Sequence, residues 1–215
     1  MTYEELKIQL DLNNSIDVLK SVGRKTKDWN WFVICDRGDC HLFDNDGNEI
    51  DIKKIKSLYE KIIPKNIKKI IIPDSVESIE NNAFFNCTNL TSINISNSIK
   101  NIKDFAFEWC ESLTSINIPD LVEHIEKYAF GHCENLTSIN ISDSVEYIGN
   151  RAFYDCKNLK SITIPNSIKY IGYHAFCDCV NLKSIIFKGK MIDQVKSMEN
   201  YPFGIEDESI IKCIN

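Results

Sequence analysis

The 215-residue chain has little of what several classes of protein need. No run of 18 apolar residues occurs, so no membrane span is predicted. The chain has 25 Lys and Arg against 31 Asp and Glu, so its net charge is −6. It therefore lacks the excess of positive charge that is typical of nucleic-acid-binding proteins. The N-terminus lacks the positive-then-apolar order of a secretory signal, and no lipidation motif is present. We therefore expect a cytoplasmic protein.

Signatures of reaction chemistry are also missing. The GRKT segment at Gly23 lacks the upstream glycines of a phosphate-binding loop. The acidic turn at 44–48 does not place glycine and glutamate where a calcium loop needs them. Cys35, Cys40 and His41 have no second pair of ligands at zinc-finger spacing. We therefore expect no enzymatic activity, no cofactor and no metal.

What the sequence does contain is a repeat of strictly constant length. Ala and Phe recur together five times, and each Phe is followed three residues later by Cys. The five copies are residues 72–94, 95–117, 118–140, 141–163 and 164–186. Apolar residues are spread over each copy, and one copy alone cannot bury them. The copies must therefore stack on one another.

Each copy ends in a short strand. In the first copy, Leu90, Ile93 and Ile95 are predicted to point inward, and Ser92 and Asn94 outward, because side chains alternate along a strand. Pro or Ser then ends the strand in a turn. The rest of the copy predicts a second extended stretch and one or two helical turns around Ala-Phe.

Five of the nine cysteines share one repeat position. They are Cys87, Cys110, Cys133, Cys156 and Cys179. Stacking would place them about 5 Å apart, near the Cα separation of a disulfide. Each copy needs a small buried side chain there, however, and free cysteine is often buried. Without a secretion signal, we expect a reduced and buried ladder.

The pattern I-P-x-S-V-x-x-I-x-x-x-A-F-x-x-C-x-x-L-x-x-I resembles leucine-rich repeats of the BspA-like type over about residues 66–187. The resemblance implies a curved solenoid used for protein or surface recognition, without enzymatic activity. This type often has Gly after the mid-repeat Ile, which only Gly149 and Gly172 keep here. The other three copies have charged residues there, so we expect that this position does not need a positive φ.

We predict a leucine-rich-repeat solenoid whose 23-residue unit combines a β-strand with a short extended or helical coil, flanked by two caps. Residues 1–65 are expected to form an α+β N-terminal capping domain. Residues 66–186 hold five full BspA-like repeats and a partial one. Residues 187–215 are expected to form a short C-terminal cap.

Local patterns predict elements within both caps. Helices are expected to open at Thr2, Ser15 and Asp51. Strands are expected at WNWFVIC, CHLF and NEIDI. Arg37-Gly38-Asp39 is interpreted as a hairpin turn rather than an adhesion triplet. Near the C-terminus, an amphipathic helix is expected to turn Met191 or Ile192, Val195 and Met198 inward.

The outward residues of the repeat strands form the predicted binding site. Their hydroxyl and amide groups can hydrogen-bond a partner, although Trp, Tyr and Arg, which dominate binding hot spots, are missing there. The predicted binding residues are Ser92, Asn94, Ser115, Asn117, Ser138, Asn140, Ser161 and Thr163. The face is nearly neutral and turns basic at its C-terminal end, at Lys160 and Lys183.

The leading hypothesis is a non-enzymatic module for protein–protein recognition that presents a concave Ser/Thr/Asn-rich strand face. Its partner is another protein, not nucleic acid or membrane, and the module is a monomer or weak oligomer. The alternative is a phage- or virus-encoded structural protein, or an inhibitor of a host protein, located in the host cell. It rests on residues 199–213, which resemble the tail of small BspA-like proteins of gut bacteria and their viruses. Trp29 or Trp31 would then make the key contact.

Overall fold

The structure is a computed structural model. It describes residues 17–19, 31–36, 39–44, 49–50 and 57–58, and residues 68–214 apart from 73 and 75. Side chains are described from residue 68 onward, except in the strand at 69–71.

The first four strands form an antiparallel sheet in chain order. They are β1 (Asp17–Leu19), β2 (Trp31–Asp36), β3 (Asp39–Asp44) and β4 (Glu49–Ile50). The predicted three strands are confirmed as β2, β3 and β4. The helix predicted to open at Ser15 is wrong for residues 17–19, which pair with β2 instead. Pairing with a neighbouring strand overrides a local helical pattern. The helix predicted to open at Thr2 lies outside the described residues.

Two stacks of parallel strands build the repeat region. The first stack consists of β6 (Lys69–Ile71), β8 (Ser92–Asn94), β10 (Ser115–Asn117), β12 (Ser138–Asn140), β14 (Ser161–Ile164), β16 (Ser184–Lys188) and β17 (Ile211–Ile214). The second stack is a six-stranded sheet of β5 (Ser57–Leu58), β7 (Ser78–Ile79), β9 (Asn101–Ile102), β11 (His124–Ile125), β13 (Tyr147–Ile148) and β15 (Tyr170–Ile171). Each repeat therefore contributes one strand to each stack.

Between the strands of the five repeats, the register of both stacks equals the sequence period. Ser115 pairs with Ser138 in the first stack, and His124 pairs with Tyr147 in the second. Equivalent side chains of successive repeats are thus neighbours in space, and one repeat is one coil of a solenoid. The helix predicted to open at Asp51 is wrong for residues 57–58, which form β5 and pair in parallel with β7.

The Ala-Phe segment of each coil is a series of turns, and the predicted helical turns are wrong. Ala83 N donates to Glu80 O at 3.1 Å and Cys87 N donates to Phe84 O at 3.0 Å, a three-residue spacing typical of turns. Phe84 N instead donates to Ala106 O of the next coil at 2.7 Å. Since amides of this segment bond the neighbouring coil, a helix cannot continue.

Two residues of each turn segment have left-handed backbone. In the first coil they are Asn82 at φ 60° and Asn86 at φ 58°. Later coils use non-glycine residues there: Phe105, Trp109, Tyr128, His132, Arg151, Asp155, His174 and Asp178. The expectation for Gly149 and Gly172 is confirmed, because neither has a positive φ. At Gly172 the reason for glycine is space, since a Cβ would lie 2.4 Å from Asn150 N.

A ladder of parallel phenylalanine rings runs through the core. The rings of Phe84 and Phe107 lie 4.9 Å apart and those of Phe130 and Phe153 lie 5.5 Å apart, each pair within 6° of parallel. All are buried, as are Leu90 and Ile95, which lie on either side of β8. The predicted alternation is confirmed in that copy: Ser92 and Asn94 are exposed and Ile93 is partly buried.

The predicted cysteine ladder is confirmed as buried and free of disulfides. The thiol of Cys133 donates to Phe107 O of the preceding coil at 3.2 Å, and Cys156 donates to Phe130 O at 3.1 Å. Cysteine therefore does more than fill a small space, because its thiol gives a buried carbonyl a second donor besides a backbone amide. Burial raises the pKa of the Cys133 thiol far above its usual value.

The chain after residue 186 adds a further strand to the first stack. Between β16 and β17 lie the helix α1 (Ile192–Lys196) and a 3-10 helix (Glu208–Ile210). Phe203 is buried, its ring lies 6.2 Å from that of Phe187, and its carbonyl accepts a bond from Phe176 N at 3.0 Å. This part therefore packs on the end of the phenylalanine ladder.

The orientation predicted for the C-terminal helix is partly confirmed. Val195 is buried and Met198 packs against the core. Met191 and Ile192 are 66% and 39% exposed, so the prediction that one of them points inward is wrong. The boundaries predicted at 65/66 and 186/187, and the capping roles of both ends, stay predictions. No helix in the described ranges has the length and apolar character needed to cross a membrane.

Candidate protein-recognition surface

The structure brings the eight predicted binding residues onto one surface, the strand face. We define it as the outward side chains of the first stack, together with the residue preceding each strand. Seven of the eight are exposed, and Thr163 is half-buried. The register between coils aligns Ser115 with Ser138, and Asn117 with Asn140. That these residues bind a partner stays a prediction.

Part of the hydrogen-bonding capacity of the strand face is used within the face itself. Asn140 Nδ2 donates to Asn117 Oδ1 at 2.6 Å, and Thr137 Oγ1 donates to Thr114 O at 3.0 Å. The hydroxyls of Ser115 and Ser138 have no protein partner within the described residues. These two hydroxyls are therefore free to bond a ligand.

The charge of the strand face has one sign. The described strands of the face, and the residues preceding them, contain no Asp or Glu. Lys68, which is exposed, and Lys69 lie at its N-terminal end, before and at the start of β6, and four exposed lysines lie at its C-terminal end. These are Lys160, Lys183, Lys188 and Lys212. In the part of the chain that the structure describes, none of the four lies within 4.0 Å of a carboxylate.

Several lysines elsewhere on the solenoid form ion pairs. They pair with a glutamate at the same repeat position in the preceding coil. The N–O distances are 2.8 Å for Lys100–Glu77, 2.8 Å for Lys103–Glu80, 2.6 Å for Lys157–Glu134 and 2.6 Å for Lys169–Glu146. Neutralisation by a glutamate one repeat earlier is thus common in this chain, and the described part of the strand face lacks it.

The turn face carries the aromatic residues that are missing from the strand face. We define the turn face as the outward side chains of the Ala-Phe segments. The ring of Trp109 stacks on that of His132 at 3.8 Å, and His132 Nδ1 lies 3.0 Å from Asp155 Oδ2. The Arg151 guanidinium lies 5.7 Å from the centre of the Tyr128 ring.

These turn-face residues were not predicted from the sequence as a cluster. Aligning the five copies would have found them, because they occupy the positions before Ala and before Cys. They bond or stack on one another between neighbouring coils, as the pairs above show. Their contacts therefore contribute to the stability of the solenoid.

A buried carboxylate lies beneath the turn face. Glu108 is 8% exposed. Burial raises the pKa of its carboxyl, while the nearby His132 and Lys127 act in the opposite direction. The net rise means that ionised Glu108 is held at a cost to the folded state.

A shallow groove beside the second stack has a volume of about 280 Å³. Its lining includes Asn101, Lys103, Asp104, His124 and Glu126. Ligand pockets are usually enclosed and mostly apolar, whereas this lining is polar and charged. Among the described residues, no group of three His, Cys, Asp or Glu is placed to hold a metal ion. The lining of the groove therefore differs from that of a usual ligand pocket.

Two parallel strand stacks and a repeated buried ladder define a leucine-rich-repeat solenoid. A sequence profile of the BspA type leucine rich repeat region matches six copies, over residues 63–183 and 123–206. The chain therefore belongs to the BspA type leucine-rich-repeat family. Membership of this family indicates a scaffold for protein–protein interaction. A comparison with curated protein sequences found no match.

Solved structures of bacterial leucine-rich-repeat proteins have the same fold. A T. pallidum leucine-rich-repeat protein is 31% identical with a TM-score of 0.56, and the alignment covers 60% of this chain and 61% of that one. A leucine-rich-repeat protein from Bacteroides ovatus is 26% identical with a TM-score of 0.51, and the alignment covers 81% of this chain and 48% of that one. A leucine-rich cell surface protein from Faecalibacterium prausnitzii is 22% identical with a TM-score of 0.52, and the alignment covers 72% of this chain and 54% of that one. At this identity the similarity is one of fold alone. The chain thus spans between about half and three-fifths of these structures.

Proposed function

We propose that this chain is a non-enzymatic module that recognises another protein through the strand face. The observation that carries the proposal is the pattern of satisfied and unsatisfied groups. Serine hydroxyls and lysines on the strand face have no partner in the described structure, whereas four lysines on the other sides pair with glutamates. A surface that keeps free donors in regular rows is suited to bind an extended partner.

The geometry of the rows supports binding of a polypeptide. Neighbouring strands lie about 4.8 Å apart, so a partner crossing five strands would meet a Ser hydroxyl at each step. Main-chain carbonyls of a bound peptide can accept hydrogen bonds from the side-chain hydroxyls of Ser115 and Ser138. These hydroxyls have no partner within the described structure. The partner's side chains would then determine the register in which the peptide binds across the strands.

The absence of enzymatic activity is part of the proposal. Reactive cysteines have a lowered pKa in an electropositive, accessible environment. The ladder cysteines are the opposite case, because burial raises the pKa values of Cys133 and Cys156. These thiols donate hydrogen bonds to backbone carbonyls, so their role is structural.

Selection from a displayed library of random 16-residue peptides tests the proposal without knowledge of the natural partner. Binders selected on the immobilised protein are then titrated against two double variants. S115R/S138R places bulk and charge on the strand face. N81R/N101R adds the same charge at exposed residues outside the strand face, on the side of the second stack.

The expected result is loss of binding by S115R/S138R and unchanged binding by N81R/N101R. Thermal unfolding followed by circular dichroism checks that both variants fold. If the selected peptides bind S115R/S138R as well as the parent but fail to bind N81R/N101R, the strand face is not the recognition surface.

The remaining expectations stay predictions. These are the identity of the partner, the oligomeric state and the cytoplasmic location. A viral origin, with Trp29 or Trp31 as the contact, has no support among the matched proteins, which are bacterial. Trp29 lies outside the described residues, and only the backbone is described for Trp31.

A further inference from the structure

The C-terminal end of the strand face concentrates positive charge. We call Lys160, Lys183, Lys188 and Lys212 the basic end. Lys160 and Lys183 precede the neighbouring strands β14 and β16, Lys188 ends β16, and Lys212 lies on β17, the next strand of the same sheet. Two of these lysines thus lie on β16 and β17, and the other two directly precede β14 and β16, in a sheet whose strands are about 4.8 Å apart.

This concentration is unusual for the chain that carries it. Like charges on adjacent strands repel one another, and the net charge of the protein is −6. Acidic side chains are available, and elsewhere they neutralise lysines of the following coil. The described positions of the strand face contain none. The basic end is therefore complementary to an anionic group supplied from outside.

Apolar side chains lie among these lysines. Ile186, half-buried, pairs in register with Lys212, and Ile214, which is 48% exposed, pairs with Lys188. A ligand at this site would therefore meet alternating ammonium and hydrocarbon groups. This alternation suits a polypeptide in which carboxylates are interleaved with apolar residues, because successive side chains of an extended peptide differ in this way.

We propose that the basic end binds an acidic polypeptide segment in which Asp or Glu residues alternate with apolar residues. This inference rests on the proposed function, since it names the class of partner for the same face. A nucleic acid is a poorer fit. Single-stranded binders stack bases on aromatic rings, and the described strands of this face contain no Trp, Tyr, Phe facing outward or Arg.

Fluorescence anisotropy with two labelled peptides tests the inference. One 14-residue peptide alternates Glu and Leu residues with Ser spacers, and the other replaces every Glu by Gln. Two triple variants are compared with the parent. K160Q/K183Q/K212Q removes three charges from the basic end, and K100Q/K157Q/K169Q removes three charges from lysines that pair with glutamates outside the strand face.

We expect the parent protein to bind the acidic peptide at least about tenfold more tightly than the Gln peptide, with an affinity that falls as salt is raised. K160Q/K183Q/K212Q should lose about tenfold in affinity, and K100Q/K157Q/K169Q should stay within about twofold of the parent. Circular dichroism melts verify that both variants are folded.

Three outcomes would overturn the inference. Equal losses in the two triple variants would mean that only net charge matters. Equal affinity for both peptides would mean that carboxylates are not recognised. Tighter binding of a labelled 20-nucleotide oligothymidine than of the acidic peptide would identify a different class of ligand.

The same variants separate this inference from the proposed function. If library-selected peptides lose binding to S115R/S138R but keep it to K160Q/K183Q/K212Q, the strand face binds protein and the acidic partner is wrong. If they keep binding to S115R/S138R, the proposed function itself is wrong.

Discussion

Phe130→Ala is the substitution whose energetic effect the structure defines most sharply. The Phe130 ring is fully buried between the rings of Phe107 at 5.2 Å and Phe153 at 5.5 Å, within 5° of parallel to both. Removing it takes away the burial of a large apolar side chain, worth about 1.5–3 kcal/mol. It also removes two ring contacts, each worth about 0.5–1.5 kcal/mol.

Together these contributions predict a loss of about 4 kcal/mol in the free energy of unfolding, within the usual range of about 3–5 kcal/mol for a core aromatic. The neighbouring coils are held at strand spacing by backbone bonds, such as Phe130 N to Ala152 O at 2.8 Å, so they cannot collapse into the space. Urea unfolding followed by circular dichroism measures the loss.

Tyr173→Ala is the matched control. Tyr173 is also aromatic, but it is 54% exposed and stacks only on the adjacent His174 at 3.8 Å among the described rings. Its truncation should cost less than about 1 kcal/mol. If Phe130→Ala also costs less than about 1 kcal/mol, the continuous phenylalanine ladder does not exist as described.

Three further predictions test other parts of the fold. In the native protein, a maleimide reagent should label Cys177 and Cys213 before Cys133 and Cys156, because the latter two are buried; rapid labelling of Cys133, read out by mass spectrometry, would contradict the ladder. Gly172→Ala should cost about 1–3 kcal/mol, since its Cβ would meet Asn150 N, whereas Glu126→Ala at the same repeat position should stay within about 0.5 kcal/mol in urea unfolding. The pKa of Glu108 is raised in the folded state. The contribution of this carboxyl to the free energy of unfolding is therefore favourable at low pH and is lost as pH rises through the raised pKa. Glu108→Gln should therefore unfold at a higher temperature than the parent at pH 8, with the difference shrinking below about pH 4.5; a constant difference would mean that the carboxyl is not perturbed.

The solenoid was predictable because its signal is repeated. One buried Phe proves little, but Phe at five equally spaced places, with Cys three positions later each time, requires stacked units. The same spacing places the eight predicted binding residues on one face, since the register between strands equals the period. Alternation along L-T-S-I-N-I predicts which residues of each strand point outward.

Elements that depend on contacts between distant residues were not predictable in the same way. Residues 17–19 have a helical pattern, but pairing with β2 makes them a strand. The Ala-Phe segment is short and apolar, and only the bonds to neighbouring coils convert it from helix to turns. The left-handed φ of Phe105 and Tyr128 has no sequence signal, because neither residue favours that conformation.

The charge pattern shows the same division. Lys160 and Lys183 were recognised as a basic end from the sequence, but their lack of an acidic partner among the described residues is a property of the structure. Likewise, Trp109, His132 and Asp155 occupy the same position in three successive copies, and only the stacking of coils shows that they satisfy one another.

Site-specific photocrosslinking tests the central claim most directly. Benzoylphenylalanine is introduced at Ser115 or at Asn101, which are exposed positions in strands of the first and second stacks within one repeat. With a library-selected peptide bound, the probe at residue 115 should cross-link to the peptide and the probe at residue 101 should not. Cross-linking from residue 101 alone would contradict recognition through the strand face.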